Sequence, residues 1–217
     1  MFTRISSQAA QIGQAQQAAM RFVFWLLSAL LIVFSFSLQA ATTDAVAESK
    51  QTEFGLYLTP QEVWDTVNAD PDGVLFIDVR TRAEAMYVGM PTVVDALVPF
   101  VDHDPFWPWD DERNSYQLEP VQDFIVEIER RLADKQLDKD APIILMCRSG
   151  GRSAMAADRL ADEGFTQVYT VPEGFEGDKS KSGADKGQRT VNGWKNAGLP
   201  WTTDLDKDKM FFEKQFD

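Results

Sequence analysis

Apolar positions between residues 57 and 171 fall into two kinds of run that alternate along the chain. The short apolar block in "GVLFIDVR" (73–80) fits a strand buried on both faces, as in a parallel sheet, and "PIILM" (142–146) and "QVYTV" (167–171) read as further strands. "VVDALVPF" (93–100) is a further strand candidate. Between these blocks the spacing changes to that of helices. Thr59, Pro60 and Glu62 form a cap, first-turn proline and capping box, with Val63, Trp64 and Val67 as the apolar face behind them. "TRAEAMYVG" (81–89) reads as a short helix closed by Gly89. A longer helix is predicted from about Pro120, with Val121, Phe124, Ile125, Ile128 and Leu132 at helical spacing and Glu127, Glu129, Arg130 and Arg131 on its other faces. "RSAMAADRLADEG" (152–164) places Ala154, Ala157, Leu160 and Ala161 on one side and stops at Gly164. Strands alternating with helices predict an α/β domain built on a mostly parallel central sheet flanked by helices.

Four segments lie outside that alternation. Residues 22–36, "FVFWLLSALLIVFSF", are uncharged and apolar, follow Arg21 and precede "SLQAATT". That layout is a secretory signal over residues 1–41, with Met20 as the natural start and cleavage near Ala40 or Ala41. The alternative is an uncleaved membrane anchor, for which the run is short against the roughly 20 residues that span a bilayer. Residues 42–56 are small and polar and read as a flexible leader. Two insertions interrupt the domain: the aromatic, acidic "HDPFWPWDDERNSY" (103–116) and the Gly/Ser/Lys/Asp-rich "GDKSKSGADKGQR" (177–189), which reads as a mobile loop. Residues 202–217 form a charged C-terminal tail.

The chain of 217 residues carries 34 acidic against 21 basic side chains, a net charge of −13. Removing residues 1–41 takes away Arg4, Arg21 and no acid, so the exported form is more acidic still. This argues against nucleic acid or an anionic membrane as the main partner, and makes a local basic pocket conspicuous. Export, periplasmic in a Gram-negative source, also changes the meaning of the single cysteine, since a lone thiol has no partner within the chain for a disulfide. Cys147 is either a passive core residue or a thiol kept for chemistry.

Its setting favours chemistry. Cys147 directly follows the strand block "PIILM", at the carboxyl end where functional loops gather, and "RSGGR" separates it from the next helix. Gly150 and Gly151 accept backbone dihedrals that other residues resist, so the N–H groups of this turn can face inward. The helix start adds partial positive charge, and Arg148 and Arg152 add formal charge. The product is an anion cradle with a sulfur at its base, a setting that favours the nucleophilic thiolate.

The segment "CRSGGRS" (147–153) resembles the active-site loop of rhodanese-type sulfurtransferases, "LFIDVRTRAE" (75–84) resembles their early Asp-x-Arg signature, and "GWKNAGLPW" (193–201) resembles their closing segment. These motifs place a single rhodanese-like domain at about residues 57–201. The resemblance implies that Cys147 attacks the outer sulfur of a thiosulfate-like donor, holds it as a persulfide, and passes it to a thiol, cyanide or protein acceptor. The backbone of Arg148, Ser149, Gly150, Gly151, Arg152 and Ser153 would hold the persulfide and leaving group, with the Arg148 and Arg152 guanidinium groups on the donor's sulfonate. It implies no organic cofactor and no metal. One departure is "GMPTVVDA" (89–96), with Met90 where the family usually has histidine.

The remaining candidates have structural readings beside the functional ones. Asp78 either caps the following helix or orients Arg80, and Arg80 is a buried partner of Asp78 or Glu84. His103 reads as a surface residue; Phe106, Trp107 and Trp109 read as anchors that pack their own insertion. A cysteine phosphatase or arsenate reductase is the rival enzyme, but such loops separate Cys from Arg by five residues, and here Cys147 and Arg152 are separated by four. A non-catalytic binding or redox-sensing module is the other alternative.

Overall fold

The computed structural model describes residues 46–212. The proposed signal or anchor (1–41), the start of the leader and the last five residues lie outside the described residues.

Strands β1 (Leu75–Asp78), β3 (Ala96–Leu97), β8 (Ile143–Met146) and β9 (Val168–Thr170) form one parallel sheet in the order β3-β1-β8-β9. Every residue of β1 and β8 is buried, as their unbroken apolar runs require. Tyr57 bridges Thr170 in parallel and extends the sheet beside β9.

Helices cover both faces. Leu75, Ile77, Ile143 and Leu145 point into one core layer with Phe124, Ile128 and Leu132 of α3 (Phe124–Asp134) and Ala156, Ala157 and Leu160 of α4 (Gly151–Ala161). Phe76, Ile144 and Met146 point to the opposite layer, with Val63 and Val67 of α1 (Pro60–Ala69) and Ala85 of α2 (Arg82–Val88). The two-residue alternation along each strand thus divides one apolar run between two cores. It also places Cys147 on the α3/α4 side, next in phase after Ile143 and Leu145.

Two expected boundaries move. The strand candidate at 93–100 contracts to Ala96–Leu97, because the Asp95 side chain turns back to accept the Phe76 N–H at 2.7 Å and the Lys135 ammonium at 2.8 Å. The long helix starts at Phe124, not Pro120. Pro120 instead ends β7 (Leu118–Pro120), which pairs antiparallel with β4 (Val101–His103) and draws the preceding residues into a ribbon. Within the insertion, β5 (Trp109–Asp110) and β6 (Ser115–Tyr116) form a second hairpin. His103 stacks on Trp107 at 4.5 Å, and Trp107 and Trp109 each meet Tyr116 edge-on at 5.3 Å, so these four rings pack on one another, whereas Phe106, expected as a third anchor, is 91% exposed.

Segments read as leader and tail also engage the domain. Residues 48–50 make a short 3-10 turn against α4, Glu53 N–H donates to Asp158 at 2.9 Å, and Lys50 pairs with Asp178. At the other end, β10 (Trp201–Thr202) pairs with β2 (Met90–Pro91), and buried Arg131 donates to the carbonyls of Asp208 and Met210. Among the described residues no helix is long and apolar enough to cross a membrane.

Trp194, fully buried, joins the C-terminal segment to the second core layer. Its ring meets Phe76 at 5.8 Å and Trp64 at 6.3 Å, and its indole N–H donates to the Pro200 carbonyl at 3.0 Å. Trp194→Ala is expected to lower unfolding free energy by about 3–5 kcal/mol in urea titration. A loss below about 1 kcal/mol would show that this segment is peripheral to the core.

Candidate functional site

The site is the turn that carries the chain from β8 into α4. Cys147 is only 2% exposed, yet it borders a cavity of about 340 Å³ shared with Ser49, Arg148, Ser149, Gly151, Arg152 and Met155. The Gly150 N–H donates to Cys147 Sγ at 3.2 Å. The Ser153 hydroxyl lies 3.6 Å from the same sulfur and 2.9 Å from the Gly150 carbonyl, so its one proton can serve either acceptor. The sulfur thus sits at the edge of the apolar core with one backbone N–H directed at it and the Ser153 hydroxyl beside it.

Only one of the two loop glycines needs its conformational freedom. Gly150 has φ +98°, and a Cβ there would lie 2.3 Å from the Pro172 carbonyl oxygen. Gly151 is the first helical residue and lies outside the left-handed region, so its expected role in turning the loop falls to Gly150 alone. The turn is clamped from above by residues 174–177. Phe175 N–H donates to the Cys147 carbonyl at 2.8 Å, and the N–H groups of Glu176 and Gly177 donate to the Arg148 carbonyl at 3.0 and 3.2 Å. Gly174, at φ +67°, allows this approach: a Cβ would lie 2.5 Å from Arg148 C and Ser149 N.

The two loop arginines have different surroundings. Arg148 is exposed and has no side-chain partner among the described residues. Arg152 borders the cavity but forks onto Glu84, with both nitrogen–oxygen distances at 2.6 Å. Glu84 is the N3 residue of a capping box on α2, accepting the Thr81 N–H at 3.0 Å. Burial alone would push the Glu84 carboxyl up. The Arg152 hydrogen bonds and charge, the Thr81 N–H and the charge of Arg80 outweigh it and hold the group at about 2. Burial likewise opposes the charge on Arg152, but Glu84, the Cys147 sulfur and Asp78 together raise its proton affinity. An arginine in the first turn of a helix opposes the helix dipole, and Glu84 is the anion that offsets it.

Asp78 and Arg80 stand behind this pair. The fully buried Arg80 donates Nε and Nη2 to Asp78 at 2.6–3.0 Å and Nη2 to the Gly89 carbonyl at 2.7 Å, with its guanidinium 4.0 Å over the Phe175 ring. Of the two readings of Asp78, it is the one that orients Arg80; Thr81 takes the cap of α2. Arg80 thereby supports Phe175, whose N–H holds the Cys147 carbonyl. The α2 region thus braces the site, and Met90 is buried in the second core layer. His103 lies in the aromatic ribbon. Among the described residues no group of three or more His, Cys, Asp and Glu side chains is arranged to hold a metal ion.

Gly174, Ser49 and Met155 complete the site without having been singled out from sequence; Glu84, expected there only as a possible partner of Arg80, pairs with Arg152, while Arg80 pairs with Asp78. Thr81-x-x-Glu84 carries the same capping signature as Thr59-x-x-Glu62, so Glu84 was open to recognition as a cap, though not as the partner of Arg152.

Because Glu84 ionises more readily folded than unfolded, its contribution to stability is present above its ordinary value of 4.5 and lost as pH falls toward 2. The shift corresponds to roughly 3 kcal/mol for this largely buried group. Glu84→Gln is expected to lower stability by about 2–3 kcal/mol at neutral pH, with the gap to wild type closing below about pH 4.5 in urea titrations. A gap that stays constant down to about pH 3 would show that Arg152 does not hold the Glu84 charge.

Comparison with known proteins agrees with this architecture. The rhodanese-like domain family model matches residues 59–181. A tRNA uridine(34) hydroxylase of Corynebacterium glutamicum (strain R) is 32% identical over 121 residues, covering 56% of this chain and 32% of that protein. This chain therefore corresponds to about a third of that relative's length. The uncharacterized protein RC0915 of Rickettsia conorii is 31% identical over 131 residues, 60% of this chain and 84% of the relative. Among solved structures, the crystal structure of Rv0390 from M. tuberculosis has a TM-score of 0.50 at 28% identity, covering 68% of this chain and 96% of that one. With the parallel sheet, the cysteine turn at its carboxyl edge and a family match over more than half its length, the chain belongs to the rhodanese-like domain family.

Proposed function

We propose that this chain is a sulfurtransferase that carries one sulfur atom on Cys147. The observation that supports this most directly is the position of the sulfur, which borders a cavity and accepts the Gly150 N–H. In the first step the Cys147 thiolate attacks the outer sulfur of a thiosulfate-like donor. A Cys–S–S⁻ bond forms, the donor's S–S bond breaks, and its electron pair leaves with sulfite. In the second step a nucleophile such as cyanide or a thiolate attacks the outer persulfide sulfur, departs with it, and returns the Cys147 thiolate. Charge balances in both steps, and neither requires an outside oxidant, a metal or an organic cofactor.

The residues around the cavity have separate tasks. The N–H groups of residues 148–153 hold the persulfide and the developing anion, as fixed dipoles in a water-poor site do best. Arg148, whose guanidinium is uncommitted among the described residues, meets the donor's anionic end. Arg152 borders the same cavity while Glu84 fixes its position. Asp78 and Arg80 support the segment above the turn. The acceptor is a small thiol, cyanide or a protein persulfide acceptor, and the net charge of −13 supports a partner other than nucleic acid. The signal-like run at 22–36 supports action outside the cytoplasm, in the periplasm of a Gram-negative source, either free or tethered by that run.

Treatment with thiosulfate is expected to add the mass of one sulfur atom to Cys147, located by peptide mass spectrometry, and cyanide is expected to remove it. Cys147→Ser should lose the adduct and all thiocyanate production. Failure of the folded protein to take up sulfur from thiosulfate or from an uncharged polysulfide would favour a binding module. Turnover of an aryl phosphate, lost in Cys147→Ser, would favour a phosphatase.

A further inference from the structure

The residues around the mouth of the Cys147 cavity come from two separate parts of the chain. Cys147 itself is buried, whereas Ser49, Arg148 and Met155, which line the same cavity, are exposed. Gly151, Arg152 and Met155 follow one face of α4, where residues three and four apart are neighbours. Ser49 completes the rim beside the first turn of that helix: its carbonyl oxygen lies 3.8 Å from where a Cβ on Gly151 would stand.

Ser49 belongs to the stretch read from sequence as a flexible leader and lies outside every motif, yet the segment that carries it is fixed. The Lys50 stem passes over the cysteine turn, with Cδ 2.8 Å from where a Gly150 Cβ would stand. Its ammonium pairs with both carboxylate oxygens of Asp178, each at 2.9 Å. Gln51 Nε2 closes the turn around Ser49 by donating to the Val46 carbonyl at 3.0 Å. The Thr52 N–H donates to the Tyr57 hydroxyl and the Glu53 N–H to Asp158 of α4, both at 2.9 Å. The segment is thereby tied to α4, to the second insertion and to the strand edge at Tyr57, and its serine is held at the cavity.

We infer that Ser49 is a specificity-determining residue which, with Met155, sets the size of the acceptor that reaches the sulfur on Cys147. The inference rests on the reading of Cys147 as a sulfur carrier. In the discharge step a thiolate or cyanide attacks the outer persulfide sulfur, the S–S bond breaks, and its electron pair returns to Cys147. The attacking atom must therefore enter through this mouth while the rest of the acceptor passes Ser49 and Met155. A serine leaves that passage open, and the Lys50–Asp178 pair fixes its width, which gives the second insertion a role at the site.

Discharge of a preloaded persulfide tests this, with cyanide as the slim acceptor and glutathione as the bulky one. Ser49→Trp should lower the ratio of the glutathione to the cyanide rate constant about tenfold, because added bulk in a confined passage penalises the larger molecule. Glu48→Trp, which puts the same ring on an exposed neighbour outside the cavity, should change the ratio by less than about twofold. Adding Met155→Ala to Ser49→Trp should restore part of the ratio, since the two residues share one opening. Access is also read without sulfur transfer, by alkylating the free Cys147 thiol with iodoacetamide and with pyrenylmaleimide; Ser49→Trp should again select against the larger reagent. An unchanged discharge ratio in Ser49→Trp, or an equal fall in Glu48→Trp, overturns the assignment. If no donor loads Cys147, the sulfur-transfer reading fails, and the alkylation ratio still decides whether Ser49 sets access.

Discussion

The donation of the Gly150 N–H to Cys147 Sγ is the contact on which the site depends. A sulfur at the end of a fully buried strand would otherwise face only hydrocarbon on one side. To reach it, the backbone must reverse within three residues, which requires the left-handed conformation of Gly150 and leaves no room for a side chain against Pro172. The turn is then held in place by N–H groups from residues 175–177, and Gly174 makes that close approach possible. Several distant segments are thus arranged around one short reversal of chain.

Charge is organised around the turn in layers. Asp78 and Arg80 form a fully buried pair whose guanidinium also satisfies the Gly89 carbonyl and packs on Phe175. Glu84 and Arg152 form a second, partly exposed pair that joins α2 to the first turn of α4. Removing either partner of such a pair leaves the other charge without compensation, so these pairs constrain geometry more than they add net stability. Basic charge that is not tied down in this way is left at the cavity by Arg148.

The outer segments have physical roles that their composition did not suggest. Polar residues near position 50 reach the cavity through Ser49 and tie to the second insertion through Lys50 and Asp178. The charged segment after residue 202 is caught by Arg131, whose guanidinium satisfies two of its carbonyls. The aromatic insertion keeps Phe106, Trp107, Trp109 and Tyr116 substantially exposed although several of their rings touch, because the ribbon is too small to bury them.

Local signals were sufficient for much of the architecture. Unbroken apolar blocks marked β1, β8 and β9, the Thr59 box marked the start of α1, and a cysteine between a strand and a glycine pair marked the turn, because each depends on residues adjacent in the chain. Pro120 misled, since a proline suits either a helix start or an edge strand and only its pairing with Val101 decided between them. The distinction between Arg148 and Arg152 was likewise absent from the sequence. Both flank the same glycines, but Glu84 lies 68 positions before Arg152 and meets it only after α2 packs beside α4. Sequence by itself determined the main strands and helices and where Cys147 sits along them; the tertiary structure alone decided the antiparallel ribbon and which charges are neutralised, because strand pairing and ion pairing depend on distance in space and not on separation along the chain.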